Sequence, residues 1–239
     1  MNDCVQACFL VFTDSPALWA TTGPRAVPLV IETKLCDEGR ALNQTTQFWR
    51  QQWFHDPEAR IHKGFHLYLT WNLKPYFLQE ATRLNPFRSQ YFFWIDAGYM
   101  RSIDQAYGDV RSMVPTLYRP AMHFLLVGDF GSAELRGEPF RYTVGQDRVA
   151  GNMFGGHAST IQPWAQLYYQ TFQTYINRGW FVGKDQNIFN TLCIEHPDAC
   201  VLLKPHVWFG ENPWFKMWDC LFHHQRPCST VSPKLPPHY

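Results

Sequence analysis

The sequence lacks any apolar run near the ~18 residues that a membrane-spanning helix needs. It also lacks a basic leader: no Lys or Arg precedes Arg25, so the apolar stretch Cys4–Thr13 reads as a buried strand rather than a signal segment. Charge is sparse, with 17% charged residues and a net charge of +1 over 239 residues. That balance argues against nucleic acid as the main partner, since phosphate binding draws on many Lys and Arg. With neither leader nor spanning segment, the default compartment is cytoplasmic. Neither GxGxxG nor GxxxxGK[ST] occurs, which removes the dinucleotide fingerprint and the phosphate loop. GxSxG and HExxH are missing too, so hydrolase and metalloprotease chemistry has no local support.

Aromatics are abundant instead, at 17% with ten Trp, which suits a core-rich fold with aromatic-lined clefts. Seven cysteines make an odd count without repeated spacing and read as buried thiols rather than a disulfide framework. Cys220, His223, His224 and Cys228 suggest zinc only weakly, because their spacing follows no common ligand pattern. The chain reads as one domain over 1–222, followed by a Pro-rich extended tail over 223–239.

Apolar runs bounded by turn residues predict strands at Ala7–Thr13, Ala26–Thr33, Gln90–Asp96, His123–Asp129, Arg141–Val144 and Cys200–Lys204. Helical spacing appears from Phe65 to Leu84, with Pro75 expected to break or restart the helix. It recurs from Trp164 to Ile176, after Ser159 or Thr160 as cap, and again in a shorter helix starting near Asp185. Strands alternating with helices predict an α/β fold with a mixed, mostly parallel sheet flanked by helices.

Three segments can carry chemistry. Residues 91–98 form an apolar strand that ends on Asp96 and Gly98, with Arg101 close behind. Ligands of open α/β sheets bind beyond the carboxyl ends of strands, so Asp96 either faces such a crevice or only closes a turn. Residues 149–157 read as a Gly-rich turn, in which Phe154, Gly155 and Gly156 would floor a flat substrate. Asp185 either caps a helix or serves as an exposed general base. His206, after a strand, is either a loop histidine or a metal ligand.

Together these segments resemble one family. The blocks FW-x3-W-x2-DPE-x3-H, LY-x2-WN-x-KPYF and NPF-x4-FFWIDAGYMR lie between Phe48 and Arg101. GNMFGG, the tyrosines 168, 169 and 175, and GWFVGKDQ-x-IF follow in order. The pattern resembles the HtrL/YibB family, which is similar to nucleotide-sugar glycosyltransferases of the GT-A type. The resemblance implies a GT-A-like, Rossmann-like fold lacking the family's opening strand. It implies a nucleotide-sugar donor and a hydroxyl acceptor on a glycan or lipid-linked glycan. Asp96, Gly98 and Arg101 would bind the donor, with Phe154, Gly155 and Gly156 beneath donor or acceptor. Asp185 would be the catalytic base, and a divalent cation, Mn²⁺ or Mg²⁺, would sit on Asp96 with His206. The rival implication is a non-catalytic carbohydrate-binding relative that has lost donor binding, since Asp-x-Asp is absent and Gly98 stands at its second acidic position.

Overall fold

The computed structural model describes residues 10–13, 29–32, 42–62, 64–99, 119–136, 147–208, 210–222 and 228–233. Two short strands, β1 (Leu10–Thr13) and β2 (Leu29–Glu32), pair in parallel. The main sheet has five strands: β3 (Tyr91–Ile95), β4 (Met122–Leu126), β5 (Val149–His157), β6 (Cys200–Pro205) and β7 (Cys228–Val231). Their order is β3-β5-β4-β6-β7. Only β4 and β6 pair in parallel; the other three pairings are antiparallel. The sheet is therefore mixed rather than mostly parallel, because β5 runs antiparallel between β3 and β4. Strands β3, β4 and β6 nevertheless point the same way, so their carboxyl ends share one sheet edge with the start of β5.

The strand sequences alternate between two cores. Phe124, Phe154 and Leu202 face one side, with Tyr68, Leu73, Trp164, Tyr168 and Phe189. Leu125, Met153, Val201 and Leu203 face the other, with Trp218, Leu221 and Phe222. This period-two division buries both sheet faces. On the first side pack helices α1 (Thr46–His55), α2 (His66–Leu84), α4 (Ala158–Asn177) and α5 (Asp185–Glu195). A short α3 covers Ser132–Leu135, and α6 (Met217–Phe222) packs on the opposite face.

Several expectations change. Helix α2 runs through Pro75 without a break. Proline removes one amide donor and crowds the preceding turn, but here it sits among buried Leu69, Leu73, Phe77 and Leu78, whose packing outweighs that local cost. Helix α4 opens at Ala158, capped by the His157 ring accepting from the Ser159 amide, so Pro163 lies beyond its first turn. The GNMFGG block is strand, not turn. A Cβ at Gly155 would collide with the Phe92 carbonyl and lie 2.6 Å from Phe93 Cα. These glycines thus admit neighbouring backbone. Cys193–Cys200 and Cys220–Cys228 are disulfides, so these four are not free thiols, and the second pair removes both thiolates from the zinc reading. The Cys220–Cys228 bond ties the segment expected as a tail to α6, and part of that segment forms edge strand β7. The strand expected at Arg141–Val144 and residues His223, His224 and Arg101 lie outside the described residues.

Candidate functional site

The apolar, aromatic strand β3 delivers Asp96 to the shared edge, where the Asp96 amide still donates to Asn152 O of β5 at 2.8 Å. The following turn closes with Tyr99 N donating to Asp96 O at 2.8 Å. Tyr99 is buried and its hydroxyl accepts from Trp218 N at 3.0 Å, pinning the turn to α6. Gly98 is exposed, and a Cβ there would meet nothing within 4 Å, so the space beside Asp96 is open among the described residues.

Behind Asp96 stands a lysine from the middle of α2. Lys74 Nζ donates to Gly151 O at 2.8 Å. It lies 3.1 Å from Asp185 Oδ2 and 3.2 Å from Asp96 Oδ1. Trp94 Nε1 donates to the same Asp96 oxygen at 2.6 Å. The three side chains differ sharply in exposure: Lys74 3%, Asp185 4%, Asp96 35%. Asp96 is the face of this trio that meets solvent, and Asp185 is its buried base plate.

Burial penalises charge on both inner members. It would lower the Lys74 pKa, but Asp185 and Asp96 outweigh it and hold the ammonium above its ordinary value. For Asp185 burial dominates: it raises the carboxyl above the ordinary range against the pull of Lys74, and Asp96 adds to the rise. The same carboxylate, after burial itself, helps raise the Tyr168 hydroxyl. Gly151 is required beneath this trio, since a Cβ there would sit 2.8 Å from Asp185 Oδ2.

The loop that carries Asp185 is fastened from the N-terminal half of the chain. Val182 N donates to Gln52 Oε1 at 2.8 Å. Asn72 Nδ2 donates to Val182 O at 3.0 Å, and Asn72 Oδ1 accepts from Tyr168 OH at 2.7 Å. Lys184 Nζ donates to Glu58 Oε2 at 2.5 Å. Glu58 belongs to the DPE-x3-H block, where Asp56 Oδ2 meets His62 Nδ1 and Tyr68 OH, each at 2.5 Å. Asp56, Glu58 and His62 bring ligand-type atoms within 4.8 Å of one another. Their oxygens are already engaged by Tyr68, by the Glu58 amide and by Lys184, so the cluster reads as a structural network.

The structure therefore brings Asp96, Gly98 and Asp185 to one edge and separates other expected members. Phe154 is fully buried, stacking on Phe124 at 5.5 Å and packing on Phe189 and Trp164, so its ring is core rather than a ligand platform. Gly155 and Gly156 lie inside the sheet beside it. His206 is exposed just past β6. In sheet order β6 stands three strand steps from β3, about 14 Å at the usual strand spacing. A concavity of about 610 Å³ between α2 and α4, walled by Gln79, Gln166, Gln170, Gln173, Ala165 and Tyr169, holds none of the charged groups above.

A family model described as a bacterial protein of unknown function, HtrL_YibB, matches residues 42–222. The chain belongs to the HtrL_YibB family. No curated protein matches it. The HtrL_YibB match spans every residue of the trio and of the loop that supports it. Lys74 and Asn72 escaped the reading of sites from sequence, although both stand in the quoted WN-x-KP block. Their signal was an amide and an ammonium set in the apolar stripe of a helix, which buries them.

Proposed function

We propose that this HtrL_YibB protein is a GT-A-like glycosyltransferase that moves a sugar from a nucleoside-diphosphate donor to a hydroxyl of a glycan or lipid-linked acceptor. The observation that carries the reading is the half-exposed Asp96 at a shared strand edge, locked by a buried Lys74 and Asp185. Open α/β sheets bind ligands at such edges, and a buried carboxylate raised by desolvation beside a specific charge partner, here Asp185 beside Lys74, marks a candidate site. No helix among the described residues is long and apolar enough to cross a membrane.

Roles follow from exposure. Asp185 is too buried to meet an acceptor, so the role of base passes to Asp96. The acceptor oxygen attacks the anomeric carbon, and its proton goes to the Asp96 carboxylate. The bond from that carbon to the diphosphate oxygen breaks, and the electron pair leaves with the diphosphate. Trp94 Nε1 and Lys74 orient Asp96 by binding its oxygens. Arg101, three residues after Gly98, is the candidate for the diphosphate charge.

A divalent cation does not fit these residues. Mg²⁺ and Mn²⁺ sites draw on several free oxygens. Here Asp96 Oδ1 is taken by Trp94 and Lys74, and Asp185 Oδ2 faces Lys74. The reading is tested by calorimetric titration with UDP, GDP and CDP, followed by donor turnover. One nucleotide is expected to bind, and Asp96→Asn is expected to keep that binding while losing transfer by about 10²-fold or more. Failure of all three nucleotides to bind would favour the carbohydrate-binding alternative.

A further inference from the structure

We infer that the fixed cation of this site is Lys74 itself and that the site works without a divalent metal. The inference rests on the transferase reading for its functional meaning, although the cation assignment stands on the geometry.

An ammonium has three protons and no lone pair. Lys74 Nζ donates to Gly151 O at 2.8 Å and to Asp96 Oδ2 at 3.4 Å, and it ion-pairs with Asp96 Oδ1 at 3.2 Å and with the buried Asp185 Oδ2, which has no hydrogen-bond partner among the described residues, at 3.1 Å. Its charge is matched by both carboxylates. The position at the focus of the two carboxylates, where a bridging metal would stand, is occupied by nitrogen. The lysine cannot swing aside easily. It rises from a helix interior, its side chain is 3% exposed, and its ammonium lies 6.0 Å from the Trp94 ring. A dication beside that ammonium would meet direct repulsion at short range in a poorly hydrated slot.

Lys74 also changes what the carboxylates can do. Two carboxylates at one edge would repel an approaching diphosphate and each other. With Lys74 between them the trio carries a formal charge of −1 rather than −2. Asp96 stays oriented, with its outer side free for an acceptor proton. Lys74 does not reach solvent, so it is a positioning residue that acts through Asp96 and Asp185.

The test uses the whole chain and two probes. The first is Mn²⁺ alone, followed by the resonance signal of free Mn²⁺ as protein is added. The wild type is expected to leave Mn²⁺ free. Lys74→Met, which bares both carboxylates, is expected to take up about one equivalent in the sub-millimolar range, and Asp96→Asn in that background is expected to abolish the uptake. Wild-type uptake that Asp96→Asn removes would overturn the inference whether or not any nucleotide binds. The second probe is the nucleoside diphosphate, titrated with Mn²⁺ and with EDTA. Affinities agreeing within about twofold support the inference. Binding that requires Mn²⁺ overturns it and leaves the transferase reading intact. Absence of nucleotide binding in both arms sinks the transferase reading, while the Mn²⁺ result still decides the cation. If Lys74→Met does not fold, Lys74→Gln takes its place. A folded Lys74 variant with no Mn²⁺ uptake would mean that Lys74 is merely structural, which also overturns the inference.

Discussion

Lys74→Met is the perturbation that most directly exposes the energetics of the site. Methionine keeps much of the length and apolar body of lysine, so packing in α2 changes little. The charge does change: Asp185, 4% exposed, loses its nearest cation and keeps the Gln186 amide at 2.9 Å. Breaking one partner out of a buried pair typically costs about 3–5 kcal/mol, a large part of the ~5–15 kcal/mol that holds a domain together. The cost must also depend on pH. Asp185 already has a folded pKa raised by burial, and removing Lys74 removes an influence that lowers it. A carboxyl raised in the folded state gives stability that is complete below its unfolded pKa and is lost as pH rises through the folded value. The deficit of Lys74→Met should therefore be small, about 1 kcal/mol, near pH 4.5 and reach about 3–5 kcal/mol near pH 8. In the wild type Lys74 acts in the same direction, at the alkaline end. Its raised pKa gives stability that is complete below the ordinary lysine value and is lost only as pH climbs through the folded one. Urea unfolding followed by tryptophan fluorescence at several pH values reads these differences. Adding Asp185→Asn to Lys74→Met should recover most of the deficit at pH 8. An equal deficit at both ends of the pH range would refute the account.

Gly151→Ala puts a methyl 2.8 Å from Asp185 Oδ2 and should cost about 1–3 kcal/mol by overpacking. Its thermal midpoint should fall by several degrees, and pairing it with Asp185→Ala should restore part of the loss. Phe154→Ala should cost about 3–5 kcal/mol as a core truncation and leave any nucleotide affinity unchanged once the variant is folded. Mass mapping after alkylation without reductant should leave Cys193, Cys200, Cys220 and Cys228 unmodified. Each short loop they close should contribute roughly 2.5 kcal/mol, seen as a lower urea midpoint after reduction.

What was legible followed from periodicity. Apolar runs placed β3, β4 and β6, and the i, i+4 stripes placed α2 and α4, because those signals come from burying one face. What was not legible depended on partners far away in sequence. Three glycines in GNMFGG look like a turn when read locally. They become strand because the backbones of Phe92 and Ala121 approach too closely for any Cβ at Gly155 and Gly156. Pro75 looks like a helix break until its neighbours prove to be buried core. Neither β5 nor β7 was foreseen as a strand, and their antiparallel pairings are what keep the sheet from being mostly parallel. The cysteine pairs lie 7 and 8 residues apart, spacings that no motif marks. Asp96 and Asp185 were visible as carboxylates at element ends, but the division of exposure between them was not. That division is set by Lys74, which a helical stripe presents as an ordinary misfit.

The supporting loop shows why WN-x-KP and GKDQ behave as one unit despite lying more than a hundred residues apart. Lys184 and Asp185 are neighbours of opposite sign, and each meets its complement, Glu58 and Lys74, from a different element. A one-residue slip of the loop would set either Lys184 against Lys74 or Asp185 against Glu58, according to its direction, losing both attractions and adding one repulsion. Charge therefore disfavours a slip in either direction, and Asn72 secures the register by holding the Val182 carbonyl from the turn of α2 that also carries Lys74. Residues that hold one loop by parallel fastenings should not act independently. Asn72→Leu and Lys74→Met should couple by about 0.5–3 kcal/mol in a double-mutant cycle read by urea unfolding. Asn72→Leu with Phe222→Leu, on the opposite face of the sheet, should add within about 0.5 kcal/mol. Additivity in the first pair would mean that the loop is held in place by its own packing and that the two side chains merely decorate it.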